Sequence, residues 1–320
     1  MTASSTLLSP RALRERFVAR ATAKFAQNVP DFVRLKTLVA DHGGRLLNDH
    51  AAIRCADPAI TALIVRAARV LGLQRERDYH FPAKKLRSFD LQVIGEDAHQ
   101  FKIFVSEVDL DAFPIEVAAR VREDCTAQAA AVDHRGFVAL IGKAEARGGL
   151  GDADAERFLA HYVDVLMSRP GPPLRRATLD AVAAVSGEAA SALALGPDFN
   201  HVTLDVRAAG YDDIDAMTAA MRSAGFLLLP AIQGAPGSQL RQTATMAASM
   251  ATPVIEADGA PGIAASERQF VEIIERGQAV DADGAPLWTD DGAPRIFRNF
   301  LAANAERIFD AASTRSGAHC

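Results

Sequence analysis

The chain is poor in the features that mark several common protein classes. It holds three cysteines, Cys55, Cys125 and Cys320, an odd and widely spaced set. That argues against a disulfide framework or zinc-finger spacing and makes a reducing cytoplasm the expected setting. Tyrosine and tryptophan number three and one, too few for a base-stacking platform. The net charge of −5 lacks the basic footprint of a general nucleic-acid binder. No apolar run approaches the length of a membrane span. The opening MTASSTLLSPRALRERF has no apolar signal core and reads as a lead-in to a helix. There is no Gly-Xaa-Gly-Xaa-Xaa-Gly, P-loop, Gly-Xaa-Ser-Xaa-Gly or His-Glu-Xaa-Xaa-His string, so the usual nucleotide, serine-hydrolase and zinc-protease readings lack support.

What remains is a 320-residue chain of ordinary globular composition, long enough to bury a sizeable core. Apolar residues at helical spacing predict helix over residues 10–38, interrupted at Pro30. A strand over 46–54 precedes a helix opened by Asp57-Pro58 and closed by Gly72. Alternating runs in YHFPAKKLRSFDLQVIG and HQFKIFVSEVDL predict strands. Helices are expected over 112–131, over 153–168, and in an alanine-rich stretch after RPGPP reaching about residue 194. FNHVTLDV then reads as a strand, YDDIDAMTAAMRSAG as a helix closed by Gly225, and LRQTATMA, ATPVIEA and RQFVEIIERG as strands.

The second half thus repeats the order of the first, a strand, a helix and several strands. This is a weak internal repeat of a βαβββ-like unit. The expected architecture is α+β, a curved sheet or incomplete barrel built from two such halves with added helices outside. A single domain over 1–320 would comprise an N-terminal half (1–110), a helical insertion (111–195), a second β-rich half (196–290) and a closing helix with its tail (291–320).

Chemistry enters at three strings: Asp49-His50-Ala-Ala-Ile-Arg54, Asn200-His201-Val-Thr-Leu and Phe270-Val-Glu272-Ile-Ile-Glu-Arg276. A lone histidine in an apolar strand is more often a core group than a ligand. His50 and His201, however, open equivalent strands of the two repeats, and such strands lie close together in a pseudo-symmetric sheet. Glu272 falls between Phe270 and Ile274 on one strand face. A carboxylate there is costly unless a metal or an arginine pairs with it. Glu275 falls on the opposite face, solvated or salt-bridged. Two histidines and one carboxylate make a facial triad of the kind that holds Fe(II) and leaves positions open. Arg54, four residues after His50, shares its face and could clamp a carboxylate through paired hydrogen bonds. A surface salt bridge is the equally natural alternative. Gln242 could bond a substrate or a metal-bound water, or belong to a half-exposed polar strand. Zn, Mn and Ni suit the same ligand set.

These strings, with FPAKKL, KIFVSEV and LRQTATMA, occur in the order seen in the 2-oxoadipate dioxygenase/decarboxylases, also called hydroxyglutarate synthases, of the vicinal oxygen chelate superfamily. The chain resembles that family over roughly residues 10–312. The resemblance implies metal ligands at His50, His201 and Glu272, a substrate-binding arginine at Arg54 and an active-site glutamine at Gln242. It implies Fe(II), O2 and a 2-oxo dicarboxylic acid, 2-oxoadipate, converted to 2-hydroxyglutarate and CO2 in lysine catabolism. A glyoxalase-like isomerase, another metal-dependent dioxygenase on the same scaffold and a non-catalytic metal-binding module are the alternatives. No nucleic-acid or membrane partner is expected, and the oligomeric state stays open.

Overall fold

Prolines and small polar caps set the ends of the first helices. Ser9 accepts a hydrogen bond from the Ala12 amide and starts α1 (Pro10–Asn28). Pro30 then opens α2 (Pro30–Asp41), because a proline at the first helical position has no amide that the helix needs. Asp57 caps α3 (Pro58–Val70) through the Ala59 amide. Gly72 and Gly225, with φ of 78° and 80°, follow α3 and the helix over Ile214–Ser223 in the left-handed conformation that favours glycine. In this computed structural model residues 7–95, 100–302 and 304 are described.

The first half runs β1 (Asn48–Cys55), α3, β2 (Gln74–Phe81), β3 (Leu86–Gln92) and β4 (Lys102–Val108). The middle holds α4 (Ile115–Ala130), α5 (Arg135–Arg147), α6 (Asp152–Ala160) continued by a π-helical turn, the short β5 (Leu174–Arg175), α7 (Arg176–Ala183) and α8 (Gly187–Leu195). The second half runs β6 (Phe199–Asp205), α9 (Ile214–Ser223), β7 (Leu240–Ala244), β8 (Ala248–Ile255) and β9 (Pro261–Arg276). Each half is therefore βαβββ. The strands form one mixed sheet, ordered β2-β3-β4-β1-β6-β9-β8-β5, with β7 also on β9. It does not close on itself. Within each half the first and last strands pair parallel, β1 with β4 and β6 with β9. The halves meet where β1 and β6 pair antiparallel.

Alternation along the strands splits the core in two. Ala51 and Ile53 of β1, with Ile103, Val105, Val202 and Ile273, pack against Phe17 of α1, Ile64 of α3 and Phe137 of α5. The other face, carrying Ala52, Phe104 and Leu86, packs against Val121 of α4, Val182 of α7 and Ala189 and Leu193 of α8. The middle segment thus divides between the two faces, and α8 lies on the same side as His50 and Arg54. Phe17 is fully buried, its ring centroid 4.8 Å from that of Tyr162 and 6.1 Å from that of Phe199. Phe17→Ala is expected to cost about 3–5 kcal/mol of stability, read as a lowered denaturant midpoint with an unchanged slope.

Three local expectations change. The glycines at 136, 142, 148 and 149 mask α5, in which Phe137, Ile141 and Ala144 still recur at helical spacing and are buried. Burying Phe137 against Phe158 at 5.2 Å outweighs the roughly 1 kcal/mol that a helical glycine costs. The run QRERDYHF lacks alternation because β2 is a charged, exposed edge strand. The closing helix expected from 291 does not begin there. Residues 277–297 fold back through bridges pairing Gln278 with Ile296 and Trp288 with Pro294. Gly284 and Gly292 turn with positive φ, and Pro286 and Pro294 block helical hydrogen bonding. Helical geometry appears at 302 and 304, and the rest of the expected helix lies outside the described residues. No helix among the described residues is long and apolar enough to cross a membrane.

Candidate metal centre

Strand register brings the three expected ligands together. Across the β1–β6 seam His50 lies opposite Thr203, and Ala52 opposite His201. Thr203 in turn lies beside Glu272 on β9, and His201 beside Phe270. Paired residues share a face, as do residues two apart, so His50, His201, Thr203 and Glu272 project to one side. Each of His50, His201 and Glu272 offers a ligand atom, all within 4.8 Å of one another, and all three are buried. His201 Nε2 lies 3.1 Å and His50 Nε2 3.6 Å from Glu272 Oε2. The Thr203 hydroxyl donates to Glu272 Oε2 at 3.2 Å and sits 3.0 Å from His50 Nε2.

Each histidine is oriented by the residue before it. His50 Nδ1 bonds Asp49 Oδ1 at 2.8 Å, and His201 Nδ1 bonds Asn200 Oδ1 at 3.1 Å. With each Nδ1–H so engaged, the Nε2 lone pairs are left for a metal, the usual outer-shell arrangement around metal-binding histidines. Asp49 is itself held by Arg276, whose Nε and Nη2 donate to its two oxygens at 2.6 and 2.7 Å. Burial alone would raise the Asp49 carboxyl. The charges of Arg276 and Lys102, with hydrogen bonds from Arg276 and His50, hold it well below the usual range. Burial likewise pushes Glu272 up, but hydrogen bonds from His201 and His50 bring it down to about 2. An anionic carboxylate and two oriented imidazoles fit a divalent cation without rearrangement of the strands.

Arg54 lies on the same side as His50 and is only 2% exposed. Its Nη1 sits 2.6 Å from Glu188 Oε2, a buried carboxylate in the first turn of α8. Arg54 is therefore not a surface ion pair. Gln242 pairs with Ile274 across β7 and β9, which puts it on the face of Glu272. Among the described residues its side chain makes no hydrogen bond to His50, His201 or Glu272. Its backbone pairs with Gln233. Glu275 points away, as expected, and accepts from the Ile214 amide and from Arg241.

Reading the sequence missed five groups. Asp49, Asn200 and Arg276 sit inside the quoted motifs, and a polar residue directly before each histidine was the available signal. Glu188 had a different one, since it is the single charge in the apolar string GEAASALAL. Phe300 had none: it comes from the segment expected to be helical, and its ring packs edge-on to His50 at 4.8 Å and beside Phe104 at 5.0 Å. Arg276 fixes this segment by donating to the Phe297 and Asn299 carbonyls at 3.0 Å each.

Two βαβββ halves joined edge to edge in an unclosed sheet, with histidines from both halves and a glutamate on one face, give the chain a fold of the vicinal oxygen chelate kind. Solved structures agree on the fold. A glyoxalase superfamily protein from Ralstonia eutropha JMP134 superposes with a TM-score of 0.76 at 21% identity, over 85% of each chain. The hydroxyglutarate synthase of Oryza sativa, solved with 2-oxoadipate, gives 0.71 at 18% identity over 98% of this chain and 97% of that one. The Pseudomonas putida hydroxyglutarate synthase with 2-oxoadipate gives 0.67 at 21% identity, over 98% and 76%. No curated protein matches the sequence. The family model of the 2-oxoadipate dioxygenase/decarboxylases matches residues 17–293, and the chain belongs to that family. It is accordingly an enzyme of this metal-dependent type.

Proposed function

We propose that His50, His201 and Glu272 hold Fe(II), and that the enzyme converts 2-oxoadipate and O2 to 2-hydroxyglutarate and CO2. The single observation that carries this reading is the convergence of the three ligand atoms within 4.8 Å, on the chain of a family described by that activity. Bound Fe(II) supplies a Lewis-acidic, redox-active centre with open positions where a 2-oxo acid and O2 can react. The balance closes without another reductant: the carboxylate next to the 2-oxo carbon leaves as CO2, one atom of O2 turns that carbon into the new carboxylate, and the other becomes the hydroxyl of the five-carbon product.

The chain's own residues do the rest. Asp49 and Asn200 keep both imidazoles turned so that Nε2 faces the metal position. Arg54 binds a substrate carboxylate and so fixes which carbon faces the metal, a proximity effect. Gln242 stands on the active face as a hydrogen-bonding group toward substrate. Phe300, packed edge-on to His50, and Phe104, packed against Phe300, exclude water from the reacting carbon. With this substrate the enzyme acts in lysine catabolism, and its few, scattered cysteines suit the cytoplasm.

Iron-loaded protein is expected to consume one O2 and release one CO2 per 2-oxoadipate, with 2-hydroxyglutarate as product, measured by oxygen electrode and mass spectrometry. Absence of oxygen uptake with every 2-oxo acid tried would refute it. Turnover with Zn(II) or Ni(II) in the absence of oxygen would instead indicate a glyoxalase-like isomerase.

A further inference from the structure

The pairing of Arg54 with Glu188 asks for an explanation that the proposed reaction does not supply. α8 reads GEAASALAL, and Glu188 is its one charge. Every residue of that helix from Glu188 to Leu195 is buried. A carboxylate in such a helix is costly by itself, yet it stands 2.6 Å from the guanidinium assigned to hold substrate. Arg54 reaches the site from two residues beyond Ala52, the partner of His201. At the rise of a strand that is about 7 Å further along β1. A substrate held at its 2-oxo end beside the histidines would therefore meet Arg54 with its opposite end.

We propose that Glu188 is a specificity-determining residue: by holding the Arg54 guanidinium and offsetting its charge, it sets how strongly the site favours a 2-oxo acid with a second, terminal carboxylate. This rests on the proposed function, in which Arg54 receives a substrate carboxylate. A guanidinium carries five N–H donors, and Glu188 engages it at Nη1, so one group can serve two carboxylates. Displacing Glu188 would pull apart a buried ion pair, which is strongly unfavourable. Glu188 therefore stays, and the incoming carboxylate meets an arginine already partly neutralised and a like charge behind it. The site still accepts a dicarboxylate but holds it less tightly than a lone buried arginine would. That matters because the product keeps the same terminal carboxylate as the substrate and has to leave.

The test is equilibrium binding, independent of turnover. Iron-loaded protein is titrated by calorimetry under argon with 2-oxoadipate and with 2-oxohexanoate, which has the same carbon count and no terminal charge. Glu188→Gln keeps the side chain's size and a hydrogen-bond acceptor but removes the charge. It is expected to raise the preference for 2-oxoadipate over 2-oxohexanoate by about tenfold or more, with 2-oxohexanoate affinity and iron content unchanged. Glu188→Asp keeps the charge but draws it back from Arg54, and is expected to shift the preference in the same direction by less. It carries the test alone if Glu188→Gln does not fold. An unchanged preference in the folded variants, or equal weakening of both ligands, would overturn the proposal and leave Glu188 a structural brace. If wild-type protein binds iron but shows no preference for 2-oxoadipate, the assignment of Arg54 falls and the role of Glu188 falls with it.

Discussion

Glu272→Gln is expected to leave a folded protein that no longer retains iron and that turns over 2-oxoadipate more than about 100-fold more slowly. The magnitude follows from comparison. Losing a group that merely orients a ligand typically costs about 10–100-fold in metal affinity or activity, and Glu272 is a ligand itself in the proposed site. Glutamine preserves shape and one oxygen but removes the only anionic charge of the triad, and with it the attraction for a divalent cation. Glu275→Gln is the matched control. It lies three residues on, faces Arg241 and the Ile214 amide, and is expected to keep full iron content. Metal analysis of the two purified variants decides the matter. Iron retained by Glu272→Gln and lost by Glu275→Gln would mean that the ligand has been misassigned. His50→Ala and His201→Ala are expected to behave as Glu272→Gln does.

The second large effect is expected at Asp49. Asp49→Asn should lower stability by about 3–5 kcal/mol, the usual cost of breaking one side of a buried ion pair. It should also weaken iron binding about 10–100-fold, because His50 loses its carboxylate partner. The buried Arg276 guanidinium would face an amide that cannot accept at both of its former oxygens. The sign with pH is fixed by the lowered Asp49 carboxyl. Its contribution is fully present above the unfolded value near 3.9 and is lost as pH falls through the folded value. Wild-type protein should therefore lose this contribution in acid, and Asp49→Asn, already without it, should show a shallower acid slope. Denaturant midpoints at pH 7 and below pH 4, with competitive metal titrations, measure both. A variant as stable as wild type would show that the Asp49–Arg276 pair is energetically neutral.

The repeated strand–helix–strand order was legible because its signals are local: Pro30, Asp57, Gly72 and Gly225 each punctuate an element in the way the sequence indicates. The triad was legible for a related reason. His50 and His201 hold the same place in equivalent strands, and period-two alternation separates Glu272 from Glu275. Arg54 was readable in position but not in partner. Glu188 lies 134 residues further on, in a helix that the pattern put on the outside, and nothing local says which sheet face a helix will cover. Phe300 was illegible for the opposite reason. Its stretch carries helix-compatible residues, and the glycines and prolines before it divert the chain into a fold-back that only tertiary contacts fix.

The ion pair between Asp49 and Arg276 joins residues 227 positions apart, and the triad spans nearly the same interval. During synthesis, when the N-terminal part folds first, His50 can be in place long before its partners exist. The nascent chain therefore cannot assemble the proposed iron site until β9 has emerged and paired with β6. With iron in that site, a redox-active metal would be kept from half-built, solvent-open intermediates. A truncation before residue 270 would remove not one ligand but the occasion for all of them to meet.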